Sequence, residues 1–375
     1  MPIYLDHAAT TYIYPELIEV IKEDLEKFWG NPSTMYSFGQ LSRGIIEDSR
    51  DRIAKSLGCD NTEIFFTSGS SEGNAFALNQ RRKCLCSPYE HHDVSENVKA
   101  IIADDAYFQM ALQSIEESGI DESYFANTLK DSYLFSHMYV NNETGEIFDI
   151  VEKANNAHNL GMLVHSDMTQ ALGNIHVNLH QLPIDIATFS GHKAHAPKFC
   201  GVIYFKQDAF KKEKIKPLIY GSQESTYRGG TENIPYIHAM SLAIEKSCQH
   251  IDEKNVHCKK LKLLLLEELA KNFKEDEYMI VSPANSVNSI IGICFKKIEG
   301  EVLQQLLSEK EIFIGTGAAC SSGDMNPSAV LNYMKIPYEY IRGQIRISTD
   351  LTTTDKDIVR LVSGLKESYH MFFLR

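Results

Sequence analysis

Apolar positions recur along this chain with two different periods, and the two alternate. Leu41, Ile45, Ile46, Ile53 and Leu57 fall at the spacing of one helix face. Residues 63–67, Glu-Ile-Phe-Phe-Thr, form a short continuous apolar run of the strand kind. Ser68-Gly-Ser-Ser71 closes that run, and a helix can restart there with Ser70 or Ser71 near its N-cap. Residues 133–140, 161–165 running on to Asp167, 184–190 and 202–205 are further strand-like segments, with helical stretches between several of them. This alternation predicts an α/β domain with a mainly parallel sheet. Past about Ser241 the texture changes. One long helical pattern reaches roughly Asn272, followed by strand-like 289–295, helical 301–307 and strand-like 343–348. A last helix opens at Thr354-x-x-Asp357 and carries Ile358, Leu361, Val362 and Leu365 on one face. These elements suit a smaller α+β domain. The expected division is a large domain over 15–245 and a small one made of 1–14 with 246–375.

Composition narrows the class. The 375 residues are 43% apolar and 23% charged, ordinary globular values that exclude a mainly disordered chain. The net charge of −13 opposes general attachment to nucleic acid or to an anionic membrane, so neither is an expected partner. No apolar run approaches the ~18 residues of a membrane helix, and Met1-Pro-Ile-Tyr-Leu-Asp6 lacks the basic and apolar regions of a signal peptide. The expected compartment is the cytoplasm. The eight cysteines, Cys59, Cys84, Cys86, Cys200, Cys248, Cys258, Cys294 and Cys320, are scattered and contain no C-x-x-C pair. No metal site is expected, and the question becomes which thiol sits in an activating environment.

Five segments carry residues suited to chemistry. Ser190-Gly-His-Lys193 follows a buried apolar run, and a lysine there can lower its pKa or form a Schiff base with a carbonyl cofactor; an isolated lysine is more often simply solvated. Asp167 ends another apolar strand, with Thr169 and Gln170 just beyond. A carboxylate in that place can pair with a protonated pyridine nitrogen, or merely cap the next helix. Thr67-Ser-Gly-Ser-Ser71-Glu-Gly-Asn74 offers small residues and hydroxyls to a phosphate at a helix N-terminus, or is a plain strand-to-helix turn. Tyr89-Glu-His91-His92 supplies an imidazole able to stack on a flat ring or to move protons, or a surface pair of histidines. Gly315-Thr-Gly-Ala-Ala-Cys320-Ser-Ser-Gly323 has the composition of a mobile loop, on which a cysteine can swing and attack; a small buried cysteine in a turn is the alternative.

Together these segments resemble the cysteine desulfurases of the class V aminotransferase fold, which are pyridoxal-phosphate enzymes. The match is ordered and spans nearly the whole chain. It runs through Tyr4-Leu-Asp-His-Ala-Ala-Thr-Thr11, Gly30-Asn-Pro-Ser33, Thr67-Ser-Gly69, Glu90-His91, Val140-Asn-Asn-Glu143 and His165-x-Asp167-x-x-Gln170. It continues through Ser190-Gly-His-Lys193, Arg228-x-Gly-Thr-Glu-Asn233, Ala319-Cys320 and Ile345-Arg346-x-Ser348. The loop around Cys320 is similar to that of the subgroup with a long flexible cysteine loop. One departure stands beside the lysine, where the family tends to read Gly-Pro-Lys-Gly and this chain has Ala196-Pro-Lys-Phe199.

The resemblance implies a fold of the aspartate-aminotransferase type and a role for each matching residue. Lys193 would hold pyridoxal phosphate covalently and act as base. His91 would stack on the ring, Asp167 would pair with its nitrogen, and Gln170 would hydrogen-bond its oxygen. Ser70, Ser71, Ser190 and His192 would bind the phosphate, joined by Thr231 from a neighbouring subunit in a homodimer. Asn142 and Arg346 would hold the substrate carboxylate, and Cys320 would be the nucleophile, with His91 as a proton handler. The implied activity is conversion of L-cysteine to L-alanine with sulfur passed to Cys320. From there it would reach a sulfur-acceptor protein in iron–sulfur, thio-cofactor or tRNA biosynthesis. The alternatives are an aminotransferase or lyase acting on another amino acid, selenocysteine included, and a non-catalytic binding subunit of the same fold.

Overall fold

The computed structural model describes residues 2–81, 83–101, 133–210, 215–317 and 328–373, which group into two compact units. One comprises Thr11–Tyr139 and Asp149–Gln249, the other Met1–Thr10, Val140–Phe148 and His250–Arg375. Strands are numbered β1 to β11 in chain order.

The first unit is built on a six-stranded sheet of β2 (Ile64–Thr67), β3 (Lys83–Cys86), β4 (Tyr133–Ser136), β5 (Leu163–Asp167), β6 (Ile186–Ser190) and β7 (Gly201–Phe205). Their order is β2-β7-β6-β5-β4-β3. β3 to β6 pair in parallel, and β7 is antiparallel to both β6 and β2. Five strands therefore run one way, and Thr67, Cys86, Ser136, Asp167 and Ser190 end them along one edge. Such an edge is where open α/β sheets bind ligands. Every residue of β2, β4, β6 and β7 is buried, as expected when helices cover both faces of a sheet. On one face, Phe76, Ala77 and Leu78 of the helix Ser70–Leu78 and Val94 and Val98 of the helix His92–Ile101 pack on Phe65, Cys84, Leu134, Ile203 and Phe205.

Two expectations change in detail here. β4 stops at Ser136, although the chain still runs alongside β5 beyond it: His137 N–H reaches His165 O at 3.0 Å and Tyr139 N–H reaches Asp167 O at 3.1 Å. The helix Ser37–Leu57 buries Ile46, Ile53 and Leu57 but leaves Leu41 exposed. It ends on Gly58 at φ 68°, a left-handed turn that glycine adopts without penalty.

The second unit holds the antiparallel sheet β11 (Gln344–Ser348), β9 (Ile290–Phe295), β8 (Tyr278–Ile280) and the parallel pair β1 (Ile3–Leu5) and β10 (Ile312–Ile314). Helices Ile251–Asn272, Gly300–Ser308 and Asp355–Phe373 contribute Leu261, Leu265, Leu269, Leu303, Leu307, Ile358, Leu361 and Leu365 to a core with Leu5, Ile291, Ile293, Ile345 and Ile347. The last helix begins where the sequence pattern puts it: Asp357 Oδ2 accepts from Thr354 N–H at 2.8 Å. The single long helix expected up to Asn272 is instead two, Ile234–Gln249 and Ile251–Asn272. His250 leaves helical geometry at φ −101° and ψ 10°, and Asp252 and Glu253 fill the first turn of the new helix, the end where acidic side chains are favoured. The break falls where the chain passes from one unit to the other. After β3 the chain forms the helix His92–Ile101, and residues 102–132 lie outside the described residues.

Candidate active site

The strand-end edge of the first unit gathers most of the chemistry-bearing residues that the sequence singles out. Directly after β6, Gly191–Lys193 forms a single 3-10 turn, stitched by Ala194 N–H to Gly191 O at 2.8 Å and Gly191 N–H to Cys200 O at 3.0 Å. Lys193 is half-buried on this turn. Its neighbour His192 is pushed down to about 4 by burial and then by the charges of Lys193 and Lys198, so it is neutral at pH 7.

Beside the turn lies the N-terminus of the helix Ser70–Leu78. A Cβ placed on Gly69 would meet Ser190 Oγ at 3.9 Å, so the start of that helix and the end of β6 are neighbours. The approach is closer still at Gly201, where a Cβ would come within 2.6 Å of Gly69 Cα; only glycine lets β7 pass there. Glu72 closes the turn by accepting from Ser68 N–H at 2.8 Å, and Arg228 neutralises it at 2.8 and 3.1 Å.

Behind these residues runs a buried hydrogen-bonded chain. Ser136 Oγ lies 3.4 Å from Glu90 Oε1 and 2.9 Å from His165 Nδ1. His165 Nε2 lies 3.2 Å from Thr188 Oγ1, whose hydroxyl donates to Asn74 Oδ1. The Asn74 amide then donates to Asp167 Oδ2 at 2.9 Å and to Asp93 Oδ1 at 3.2 Å. One proton assignment satisfies the whole chain. Burial, reinforced by Asp167, pushes the Glu90 carboxyl well above the usual range, so it is neutral and can donate. Burial likewise pushes His165 down to about 3, so it is neutral, receiving at Nδ1 and donating at Nε2. Asp167 also accepts from Thr169 N–H at 2.9 Å; burial and the nearby Asp93 raise its pKa, and no cationic side chain pairs with it among the described residues. Gln170 is buried three residues past the end of β5.

His165 and His137, which burial pushes down to about 4, bind protons only when unfolded over part of the acid range. Their stabilisation is complete above the unfolded value near 6.5 and is lost as pH falls through 4, by up to about 1.4 kcal/mol per pH unit for each. The thermal midpoint followed by circular dichroism should therefore fall steeply between pH 6.5 and 4. His137→Gln should flatten the slope; an unchanged slope contradicts the assignment.

Of the remaining residues, Thr231 belongs to the first unit and Asn142 and Arg346 to the second. Thr231 is exposed in the first unit and lines a cavity with Thr67, Ser68, Phe199 and Arg228. Phe199 itself is 76% exposed at φ 64°, a left-handed conformation costly for a bulky residue. In the second unit, Arg346 is buried on β11, donating to Asn142 O at 2.9 Å and Asp6 Oδ1 at 2.8 Å, while its Nε has no partner. A Cβ on Gly315 would come within 2.9 Å of Arg346 Nη2 and 3.0 Å of Nε. Cys320 lies outside the described residues. Asn74 and Asp93 were missed by sequence reasoning. Asn74 sits one helical turn after Ser70, a spacing that could have flagged it; Asp93 has no local signal beyond standing two residues after His91.

The chain matches the family described as Aminotransferase class-V over residues 3–361. It is 35% identical over 367 residues to cysteine desulfurase IscS of Dictyoglomus turgidum, covering 95% of this chain and 91% of that one. It is 31% identical over 369 residues to cysteine desulfurase NifS of Azotobacter vinelandii, covering 96% and 90%. Among solved structures, a NifS-like protein from Rickettsia africae superposes with a TM-score of 0.83 at 28% identity, covering 99% of this chain and all of that one.

Proposed function

The chain belongs to the aminotransferase class-V family, and from that premise we propose that it is a pyridoxal-phosphate-dependent cysteine desulfurase, converting L-cysteine to L-alanine and taking the sulfur onto Cys320. The observation that carries the reading is Asp167, a buried carboxylate at a strand end with no cationic partner among the described residues. A protonated ring nitrogen supplies what this carboxylate lacks. The same edge suits the rest of the cofactor. A helix N-terminus, the hydroxyls of Ser70 and Ser190 and the neutral imidazole of His192 form a receptor for a phosphate. The half-buried amine of Lys193, on the turn directly after β6, would be the point of covalent attachment. The Ser71 hydroxyl gives its one proton to Asp93 Oδ2 at 2.8 Å in this structure, so Ser71 would meet the phosphate through its backbone N–H at the helix N-terminus. When bound, pyridoxal phosphate supplies an electron-accepting ring that makes the α-proton of an amino acid removable.

The chain's own residues do the rest. Arg346 has a buried guanidinium with an unused Nε–H, a fit for the substrate carboxylate, and Asn142 stands beside it. Lys193 takes the α-proton, and His91 handles a second proton. The Cys320 thiolate attacks the substrate sulfur. The Cβ–S bond of cysteine breaks as the S–S bond forms, and the electron pair left on carbon takes a proton to give the methyl group of alanine. Balance is kept: cysteine and thiolate become alanine and a persulfide. The other seven cysteines support this assignment, since burial raises the pKa of each, for example to about 12 at Cys59 and Cys200 and about 11 at Cys248.

A homodimer is part of the reading. Trp29 and Phe199 each line a cavity with Thr231 and are 74% and 76% exposed, apolar side chains that a second copy would cover. No helix of the described residues is long and apolar enough to cross a membrane. A sulfur-acceptor protein and a cytoplasmic site of action complete the proposal.

The test is incubation of the holoenzyme with L-cysteine. Alanine should form, and the peptide carrying Cys320 should gain one sulfur atom. If cysteine is inert while another amino acid changes the cofactor spectrum, the aminotransferase or lyase reading replaces this one; if no amino acid changes it, the chain is a binding subunit. Gly315→Ala tests the carboxylate fork. Its methyl group displaces the Arg346 guanidinium, so KM for L-cysteine should rise about 10- to 100-fold, the worth of a charge-assisted pair. An unchanged KM removes Arg346 from the assignment.

A further inference from the structure

Two residues beyond His91, at the first turn of the helix His92–Ile101, Asp93 turns its carboxylate back onto the imidazole, with Oδ1 2.8 Å from His91 Nδ1. The carboxylate is held from a second element as well. Ser71 Oγ donates to Oδ2 at 2.8 Å and the Asn74 amide to Oδ1 at 3.2 Å, both from the helix Ser70–Leu78. These anchors fix the carboxylate whatever the imidazole does. Burial alone would raise the Asp93 pKa, but the hydrogen bonds from His91, Ser71 and Asn74 outweigh it and leave the group below the usual carboxylate range. An ionised carboxylate only accepts, so the nitrogen facing it carries a hydrogen. The backbone N–H of Asp93 also points at Nδ1, at 3.3 Å, and would need a lone pair there. The shorter, charge-assisted contact prevails.

We propose that Asp93 is a positioning residue that holds the His91 proton on Nδ1 and so leaves Nε2 as the nitrogen that takes and returns protons during turnover. This deepens the desulfurase reading, in which His91 handles protons, and rests on it for the second half of the statement. The charged and titratable surroundings are accounted for. Glu90, neutral, and Asp167 face Asp93 from the sheet, as does the neutral His165. On its own helix His92 pairs with Glu96 at 3.8 Å, and on the neighbouring helix Glu72 is neutralised by Arg228. None of these supplies a cation that could replace the imidazole against Asp93.

The experiment is nitrogen NMR of 15N-histidine-labelled holoenzyme, with His91 assigned by the signal lost in His91→Gln. The wild type should show a protonated Nδ1 and an unprotonated Nε2. Asp93→Ala removes the acceptor and leaves the backbone N–H of residue 93 as the group that faces Nδ1, so the proton should move to Nε2. Turnover with L-cysteine should then fall about a hundredfold or more, the usual worth of a positioned acid–base group, with KM held within about twofold. Asp93→Glu, which keeps the carboxylate, should retain the wild-type tautomer and recover part of the rate. An unmoved proton in Asp93→Ala overturns the proposal whatever the rate. A moved proton with wild-type turnover overturns its catalytic half. A moved proton in a protein inert toward cysteine upholds the positioning and overturns the desulfurase reading instead.

Discussion

Cys320→Ala is expected to lower alanine formation from L-cysteine by about a thousandfold or more and to abolish sulfur transfer, while the cofactor absorbance stays that of the wild type. In the proposed mechanism, loss of the attacking sulfur removes the only step that breaks the Cβ–S bond, but leaves Lys193, Asp167 and the edge proposed to receive the phosphate untouched. No other described thiol can substitute. Cys84, Cys86, Cys200, Cys258 and Cys294 are buried, and Cys59 and Cys248 are shielded enough for burial to raise both. Turnover and cofactor absorbance measured on one preparation decide the matter. Retained desulfurase turnover removes Cys320 from the mechanism, and loss of the cofactor band means that the residue serves binding rather than sulfur capture.

A loss of stability of comparable weight is expected from Glu224→Ala. Glu224 is buried and forms a two-pronged pair with Arg50, at 2.7 and 2.8 Å, and accepts from Phe66 N–H at 2.9 Å. Arg50 is itself buried, donates to Ile64 O at 2.6 Å and lies 4.7 Å over the Phe66 ring. Removing the carboxylate takes away the two-pronged partner of a buried guanidinium, which keeps only Ile64 O and the Glu47 carboxylate 3.0 Å from Nε, and leaves a strand N–H unsatisfied, a cost of about 3–5 kcal/mol. Glu224, Ser225 and Thr226 all have positive φ, at 47°, 55° and 74°, so the anchor also restrains a strained turn a few residues before Thr231. Urea unfolding should show the unfolding free energy falling by that amount, through a lower midpoint at unchanged slope. Glu224→Gln, which keeps a hydrogen-bond acceptor, should lose less. A midpoint within experimental error of the wild type would show that the pair carries no net stabilisation.

What the sequence makes legible follows from how local each signal is. β5, β6 and β7 could be read to within two residues, since strands covered on both faces are continuous apolar runs. Lys193 and Asp167 could be read because each directly follows or ends such a run. By contrast β1, β8 and β10 have three residues each and are recognisable only through their pairing partners. The break at His250 carries no proline or glycine and reflects tertiary packing rather than propensity. The least legible features are those whose partners are far apart in the chain: Arg50 and Glu224 are 174 residues apart, Asn74 and Asp167 are 93. Asp93 is near His91 in sequence, yet nothing in the residue types distinguishes it from an ordinary acidic first-turn residue.

Asp167 has one further consequence, in the proton inventory of the empty and loaded protein. A carboxylate whose pKa is raised by burial retains a proton over part of the acid range, and a cation arriving beside it expels that proton. Under the proposed reading, loading would exchange one positive charge for another at the end of β5, and acidification alone would weaken the hold on the ring.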